Sequence, residues 1–283
     1  MTIFSAKTGR PLIVAFEGWN DAGNAAGGAV KAIIDGYDLE PGFGIDGEQF
    51  YDHSVSRPTV EWTPEDGRQI RWPTSEIFFP ANKTDGVHAL HGIEPARLWP
   101  TFVATFLDEA LAADITGIIV LGSMLADVPH TRPIEISLSS ENQAVRSELG
   151  CERSQYEGPI GITSVFAYFA EQVGIPTLSL WASVPHYVHL APSPKATLAI
   201  VERIKTITEL TLDTTKLESE AAEWEENINE MAQGDEDMAD YIRQLEEDRD
   251  TAASEDASGE AIAEEFEKFL RSNPDEANGT NPQ

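Results

Sequence analysis

Pro11-Leu-Ile-Val-Ala-Phe16, followed by Glu17-Gly-Trp-Asn-Asp-Ala-Gly23 and the small-residue stretch 24–34, decides the fold. Six apolar residues without alternation read as a strand buried on both faces, as in a sheet covered by helices. The polar turn supplies a helix start, with Asn20 or Asp21 as candidate N-cap, and Gly36 supplies a stop. The same alternation recurs outward. Residues 75–79, 117–121 and 176–184 read as strands. Residues 95–113, with Leu98, Phe102, Phe106 and Leu107 on one face, read as a helix, as do 163–173 and 193–210. Ser140-Glu-Asn-Gln143 has the capping-box form and opens a helix that Gly150 ends. This pattern predicts an α/β layer fold.

Two regions depart from it. Residues 48–72 are strand-like around the tight turn Glu65-Asp-Gly67, a hairpin that inserts in or extends the sheet. Its aromatic residues Phe50, Trp62 and Trp72 are available to pack on the body or on another subunit. The second region is the C-terminal part. The chain has 283 residues, 19 basic and 49 acidic, for a net charge of −30. Residues 1–210 hold 14 basic and 26 acidic side chains, whereas 211–283 hold 5 and 23, so −12 is followed by −18 over a much shorter stretch. The division is therefore a body at 1–210, an acidic helical region at 211–250, and a final part at 251–283. Leu217, Ala221, Trp224 and Ile228 mark one helix of the acidic region; Met238, Tyr241, Ile242 and Leu245 mark a second. Residues 251–259 read as a flexible linker, 260–270 as a short amphipathic helix and 272–283 as a disordered end. Ile262, Phe266, Phe269 and Leu270 are candidate partner-docking residues on that short helix.

The charge excludes nucleic acid and anionic membrane surfaces as expected partners, because both are bound through Lys and Arg. A single cysteine, Cys151, rules out an intramolecular disulfide and a cysteine-rich zinc site and fits a reducing, cytoplasmic setting. No signal peptide and no membrane span are expected.

Ligands of open α/β sheets sit beyond the carboxyl ends of the strands. The candidate cleft is therefore Glu17, Trp19, Asn20 and Asp21 after the first strand, with Asp127, His130 and Arg132 after the 117–121 strand. His186 and Tyr187 follow the 176–184 strand, and Glu157 stands before a helix N-terminus. Gly18, Gly23, Gly27 and Gly28 either cradle a phosphate or permit close helix packing; the Walker and dinucleotide patterns are absent, which favours packing. His186 and His189 have metal-compatible spacing but no acidic neighbour, so no metal and no cofactor are expected. There is no Gly-x-Ser-x-Gly elbow, and no catalytic residue is assigned.

Phe16-Glu-Gly-Trp-Asn-Asp-Ala-Gly23 resembles the proteasome assembly chaperone family (subunit-two type), in its actinobacterial branch. Phe50-Tyr-Asp-His53 with Arg57-Pro58, Gly122-Ser-Met-Leu-Ala-Asp-Val-Pro-His-Thr-Arg-Pro133 and Tyr156-Glu-Gly-Pro-Ile-Gly-Ile-Thr163 agree in order. So do Ser183-Val-Pro-His-Tyr187 and Ala263-Glu-Glu-Phe-Glu-Lys-Phe-Leu270. The resemblance implies a three-layer α/β/α sandwich similar to the phosphorylase/hydrolase fold, with a helical C-terminal addition. It also implies self-association as a homo-oligomer, with a trimer as the form in view. Eukaryotic and archaeal relatives escort proteasome subunits, some through a C-terminal hydrophobic–Tyr–any-residue motif; Gly279-Thr-Asn-Pro-Gln283 departs from it, so docking by that route is not expected.

Two readings follow. The first is a protein-binding or assembly-chaperone-like homo-oligomer. The alternative is a small-molecule enzyme with a nucleoside-phosphorylase/hydrolase-like cleft, in which Arg132 holds an anion and His130 or His186 is the general base.

Overall fold

A computed structural model describes residues 2–64, 66–81, 86–188 and 192–272, with 255–272 described by backbone only. In chain order the elements are β1 (Pro11–Glu17), α1 (Ala25–Gly36), β2 (Glu40–Gly44), β3 (Thr59–Thr63), β4 (Gly67–Arg71), β5 (Ser75–Phe79), β6 (His88–Ile93), α2 (Trp99–Ala112), β7 (Gly117–Ala126), β8 (Ile136–Ser139), α3 (Gln143–Leu149), α4 (Ile162–Gln172), β9 (Thr177–Pro185), α5 (Pro194–Thr208), α6 (Thr215–Gln233) and α7 (Glu236–Ser272).

Seven strands form one mixed sheet in the order β2-β5-β6-β1-β7-β9-β8. The central four, β6, β1, β7 and β9, are parallel, while β5 and β8 run antiparallel to their neighbours at the flanks. The uninterrupted apolar run of β1 has its reason here. Leu12, Val14 and Phe16 pack with α2 and α4 on one face, and Ile13 and Ala15 pack with α1 and α5 on the other. The result is a three-layer α/β/α fold.

Several local readings change. Strand β6 does not show in the pattern because His88-Ala-Leu-His91 breaks its apolar character, yet it lies between β1 and β5 with His88 buried. Strand β7 continues through Gly122–Ala126, expected as loop, because it stays paired with β9 to its end. The N-cap of α3 is Asn142 and not Ser140. Asn142 Oδ1 accepts from the Ala144 and Val145 N–H groups at 3.0 and 3.3 Å, while Ser140 Oγ donates to the Thr177 carbonyl. Gly150 ends that helix with a φ of 63°, in the left-handed region glycine tolerates.

Strands β3 and β4 form a two-stranded sheet apart from the main one. Turn residue Glu65 lies outside the described residues. Residues 47–49 form a 3-10 turn instead of strand, and Phe50 is buried against Phe102, with ring centroids 5.4 Å apart.

Helix α6 packs on α5 and buries Ala221, Trp224 and Ile228; α7 buries Ile242 and Leu245. The backbone of α7 is helical through 251–259, where the sequence suggests a linker. Three alanines and no proline there favour helix. The side chains of Ile262, Phe266, Phe269 and Leu270, and residues 273–283 altogether, lie outside the described residues. Among the described residues no helix is long and apolar enough to cross a membrane.

Candidate functional site

The parallel strands β6, β1, β7 and β9 end at one edge of the sheet, where the sequence-predicted residues fall. They do not form one cleft. They divide into three groups separated by what covers each strand end.

The first group surrounds the start of α1. The Asp21 carboxylate accepts the Ala26 N–H at Oδ1 (2.8 Å) and the Gly27 N–H at Oδ2 (3.1 Å), and Ser123 Oγ donates to it at 3.3 Å. The helix N-terminus is thus filled by the chain's own carboxylate, which leaves no open phosphate cradle. The glycines serve packing: a Cβ on Gly27 would stand 2.7 Å from Asp21 Oδ2, and one on Gly28 would stand 3.1 Å from Thr197 Oγ1 of α5. Burial raises the Asp21 pKa against the opposing effect of those hydrogen bonds.

A groove of about 810 Å³ opens beside it, between α1, α5 and the start of α6. At its inner end stand Glu17, Asp21, His91 and Lys31. His91 Nε2 is 3.6 Å from Glu17 Oε1, beyond hydrogen-bond reach, and has no hydrogen-bond partner among the described residues. Burial pushes the His91 pKa down and the Glu17 pKa up. A neutral imidazole beside a carboxyl of raised proton affinity can exchange a proton with a ligand amine or hydroxyl. His91 and Lys31 escaped sequence reasoning. The only available signal for His91 was β6 itself, which the histidines disguised.

The second group, Asp127, His130, Arg132, His186 and Tyr187, is covered by the C-terminal helices. His130 is fully buried: its backbone N–H donates to Tyr187 Oη at 2.7 Å. Its ring lies between Tyr187 Oη (Nδ1, 2.8 Å) and Asn229 Oδ1 (Nε2, 3.1 Å). Since Asn229 Oδ1 can only accept, Nε2 carries the hydrogen and Nδ1 accepts from the tyrosine. Burial lowers the His130 pKa, and burial raises that of Tyr187 to about 12. Arg132 makes a bidentate pair with Asp250 (Nε–Oδ1 2.8 Å, Nη2–Oδ2 2.7 Å) and also reaches Glu246. Its hydrogen bond to Asp250 raises its own pKa and lowers that of the carboxylate. Lys195 donates to the His130 carbonyl and pairs with Glu225. His186 Nδ1 lies 3.2 Å from Asp127 Oδ1, and Tyr241 donates to the same carboxylate oxygen. Arg132 and His130, the expected anion holder and base, are thus paired with Asp250, Glu246 and Asn229 of the C-terminal helices.

The third group is Trp19, Asn20 and Glu157. Asn20 is buried, and its Nδ2 donates to Glu94 Oε1, which also accepts the Ile162 N–H opening α4. This makes Asn20 a brace between β1 and α4. Trp19 and Glu157 are exposed. His189 lies outside the described residues. Among the described residues no three His, Cys, Asp or Glu side chains group as a metal would require.

The family model for PAC2, the PAC2 family, matches residues 15–232. The chain belongs to the PAC2 family. It is 34% identical to a PAC2 family protein of Streptomyces avermitilis, over 82% of this chain and 99% of that one, with a TM-score of 0.76. It is 35% identical to a Mycobacterium tuberculosis protein described as a proteasome-assembly chaperone homologue, again over 82% and 99%, with a TM-score of 0.73. An archaeal proteasome activator of Pyrococcus furiosus, 14% identical over 78% of this chain and 93% of that one, shares the fold at a TM-score of 0.62. No curated protein matches.

Beyond its strand-end groups this PAC2 chain carries exposed apolar residues concentrated at the same end. Tyr51 Oη bonds the Ile93 carbonyl and Ile93 N–H donates to Thr74, so the hairpin is rooted beside the end of β6. Most of the fifteen large hydrophobic side chains exposed among the described residues belong to segments at this end, Leu98 at the start of α2 among them. Val55, Val60, Trp62, Ile70 and Trp72 are on the hairpin and its root, and Trp19, Met124, Leu125, Tyr156 and Ile160 are around the ends of β1 and β7 and before α4. A monomer rarely exposes such a concentration unless it meets another protein there.

Proposed function

We propose that this PAC2 chain is a protein-binding, assembly-chaperone-like homo-oligomer. The observation that carries the reading is the apolar character of the strand-end face in a chain otherwise rich in surface carboxylates. A chaperone needs apolar surface to hold a partner, and a net charge of −30 keeps the rest of the molecule soluble. The description of the M. tuberculosis relative as a proteasome-assembly chaperone homologue supports proteasome subunits as the first partners to test. The experiment is capture with the tagged full chain from its native extract, followed by mass spectrometry. Stoichiometric recovery of proteasome subunits, or of one other complex, is the expected result. Recovery of this chain alone, over a range of salt concentrations, would sink the reading.

A second reading, a small-molecule enzyme, draws on one observation: the Glu17–His91 pair at the inner end of the groove. It predicts a compound that raises the unfolding temperature of the wild type and not of His91→Ala. A broad metabolite screen without such a compound removes it.

A further inference from the structure

The β3–β4 hairpin presents two unlike faces. Its register pairs Val60 with Ile70 and Trp62 with Arg68, so alternation puts Val60, Trp62, Arg68 and Ile70 on one side, with Trp72 next in that row. These residues are open to solvent: Trp62 is 77% exposed and Ile70 58%. The other side carries Thr59, Glu61, Gln69 and Arg71, with an Arg71–Glu61 ion pair at 3.0 Å. A lone two-stranded hairpin is marginal in water, and one that also exposes its apolar row calls for a cover.

The charge indicates what covers it. Residues 55–72 hold three arginines (57, 68 and 71) against Glu61, Glu65 and Asp66, so they are neutral within a chain of net charge −30. Two copies of so acidic a molecule repel least along this segment. Arg68 stands on the apolar side with no ion-pair partner among the described residues, which also hold its complement. Trp19, Met124, Tyr156 and Ile160 form the exposed rim of the strand-end face, and the exposed Glu157 beside Tyr156 has no cation partner among the described residues.

We infer that the apolar side of the hairpin of one copy lies on the Trp19–Tyr156–Ile160 rim of a second copy, with Arg68 facing Glu157. This deepens the protein-binding reading of the same end and rests on it. A symmetric hairpin-to-hairpin contact is disfavoured, because it would bring two Arg68 side chains into one dry patch without a counter-ion. The hairpin offers on the order of 500 Å² through its two tryptophans, Val60 and Ile70, whereas a stable interface covers about 800 Å² per partner. One such contact falls short of that on its own; a head-to-tail arrangement gives each copy two of them, one through its hairpin and one through its rim, and they close into a ring when the rotation allows.

The test is sedimentation of the full chain at micromolar concentration, with circular dichroism to verify folding. The wild type should sediment as a closed oligomer. Arg68→Glu and Glu157→Arg should each weaken association about tenfold or more, as loss of a close interfacial charge pair does. The two combined should restore it to within about threefold of the wild type. A mixture of Trp62→Ser and Trp19→Ser should form a dimer and nothing larger, since only one intact contact can be made between them. A monomeric wild type, an oligomer indifferent to both hairpin and rim variants, or a double variant without rescue overturns this contact. If that same protein still captures proteasome subunits or one other complex, protein binding stands without it; if it is recovered alone, both readings fall.

Discussion

The α6–α7 pair and the β3–β4 hairpin are both additions to the α/β body, and both have one apolar side. Helix α6 buries Ala221, Trp224 and Ile228, whereas the hairpin leaves Val60, Trp62 and Ile70 in solvent. The difference lies in the seat. The helices meet Arg132 and Lys195, whose cations take Asp250, Glu246 and Glu225, and a buried His130 that Asn229 completes. Apolar side chains and acidic rim both find their complement on the same copy. The described residues offer the hairpin no such seat. Amphipathicity therefore says that an element must be covered, and only the polar complement says by what.

The largest break in that comparison should come at Trp224. It packs with Val188, Ile228, Tyr187 and Met238 beneath α6, and Trp224→Ala should cost about 3–5 kcal/mol, as truncation of buried aromatic side chains does. Urea unfolding measures this, and limited proteolysis should show the C-terminal helices cut first. A cost below 1 kcal/mol would put α6 in the same class as the hairpin and end the contrast.

A smaller effect should appear in the pH dependence. Burial lowers the His130 pKa, so the stability this group contributes is present above its unfolded value of about 6.5 and is lost as pH falls through the lower folded value. His88 and His91 act in the same direction. Glu17 and Asp21, with raised values, act in the opposite one and gain as they protonate. His130→Gln should therefore be less stable at neutral pH and show a shallower fall in melting temperature between about pH 7.5 and 5.5. Equal slopes would mean that His130 is not held neutral by the seat.

Sequence periodicity carried the layered fold because β1 is buried on both faces and α1, α2 and α5 keep helical spacing. It missed β6, where two histidines occupy positions that sheet neighbours bury, and with β6 it missed His91. It placed the candidate residues together at one edge of the sheet, since parallel topology brings the strand ends there. Their partners were not legible. Arg132 and Asp250 are 118 positions apart, and nothing local in either segment announces the pair. The sequence offers Asn20 or Asp21 as the N-cap of α1, but that position is Asn24, whose side chain makes no capping bond; Asp21 instead reaches the Ala26 and Gly27 N–H groups from three positions before it, which is the physical reason that the glycine-rich stretch holds no open anion cradle.

Arg132→Gln should move global stability little, because Asp250 is more than half exposed and water screens its pair with Arg132. Its mark should be local: faster amide exchange in α7 around 246–250, and less sensitivity of that exchange to salt. The carboxylate supports the pair above its ordinary range and stops doing so as pH falls through its lowered pKa. Wild-type protection in α7 should thus decline below about pH 4, while the variant lacks it throughout.

The smallest expected effect is at Trp62, and it is the one that divides the two regions. Trp62 has no seat among the described residues of its own copy, so Trp62→Ser should leave unfolding free energy within about 0.5 kcal/mol of wild type when measured at high dilution. At high concentration the two proteins should separate. A ring that binds only folded copies stabilises the wild type by mass action, so its melting temperature should rise with protein concentration. The variant, unable to close the ring, should melt at one temperature throughout. Trp224→Ala should show the reverse, a loss of stability already complete at high dilution, because the surface it damages is covered within a single copy.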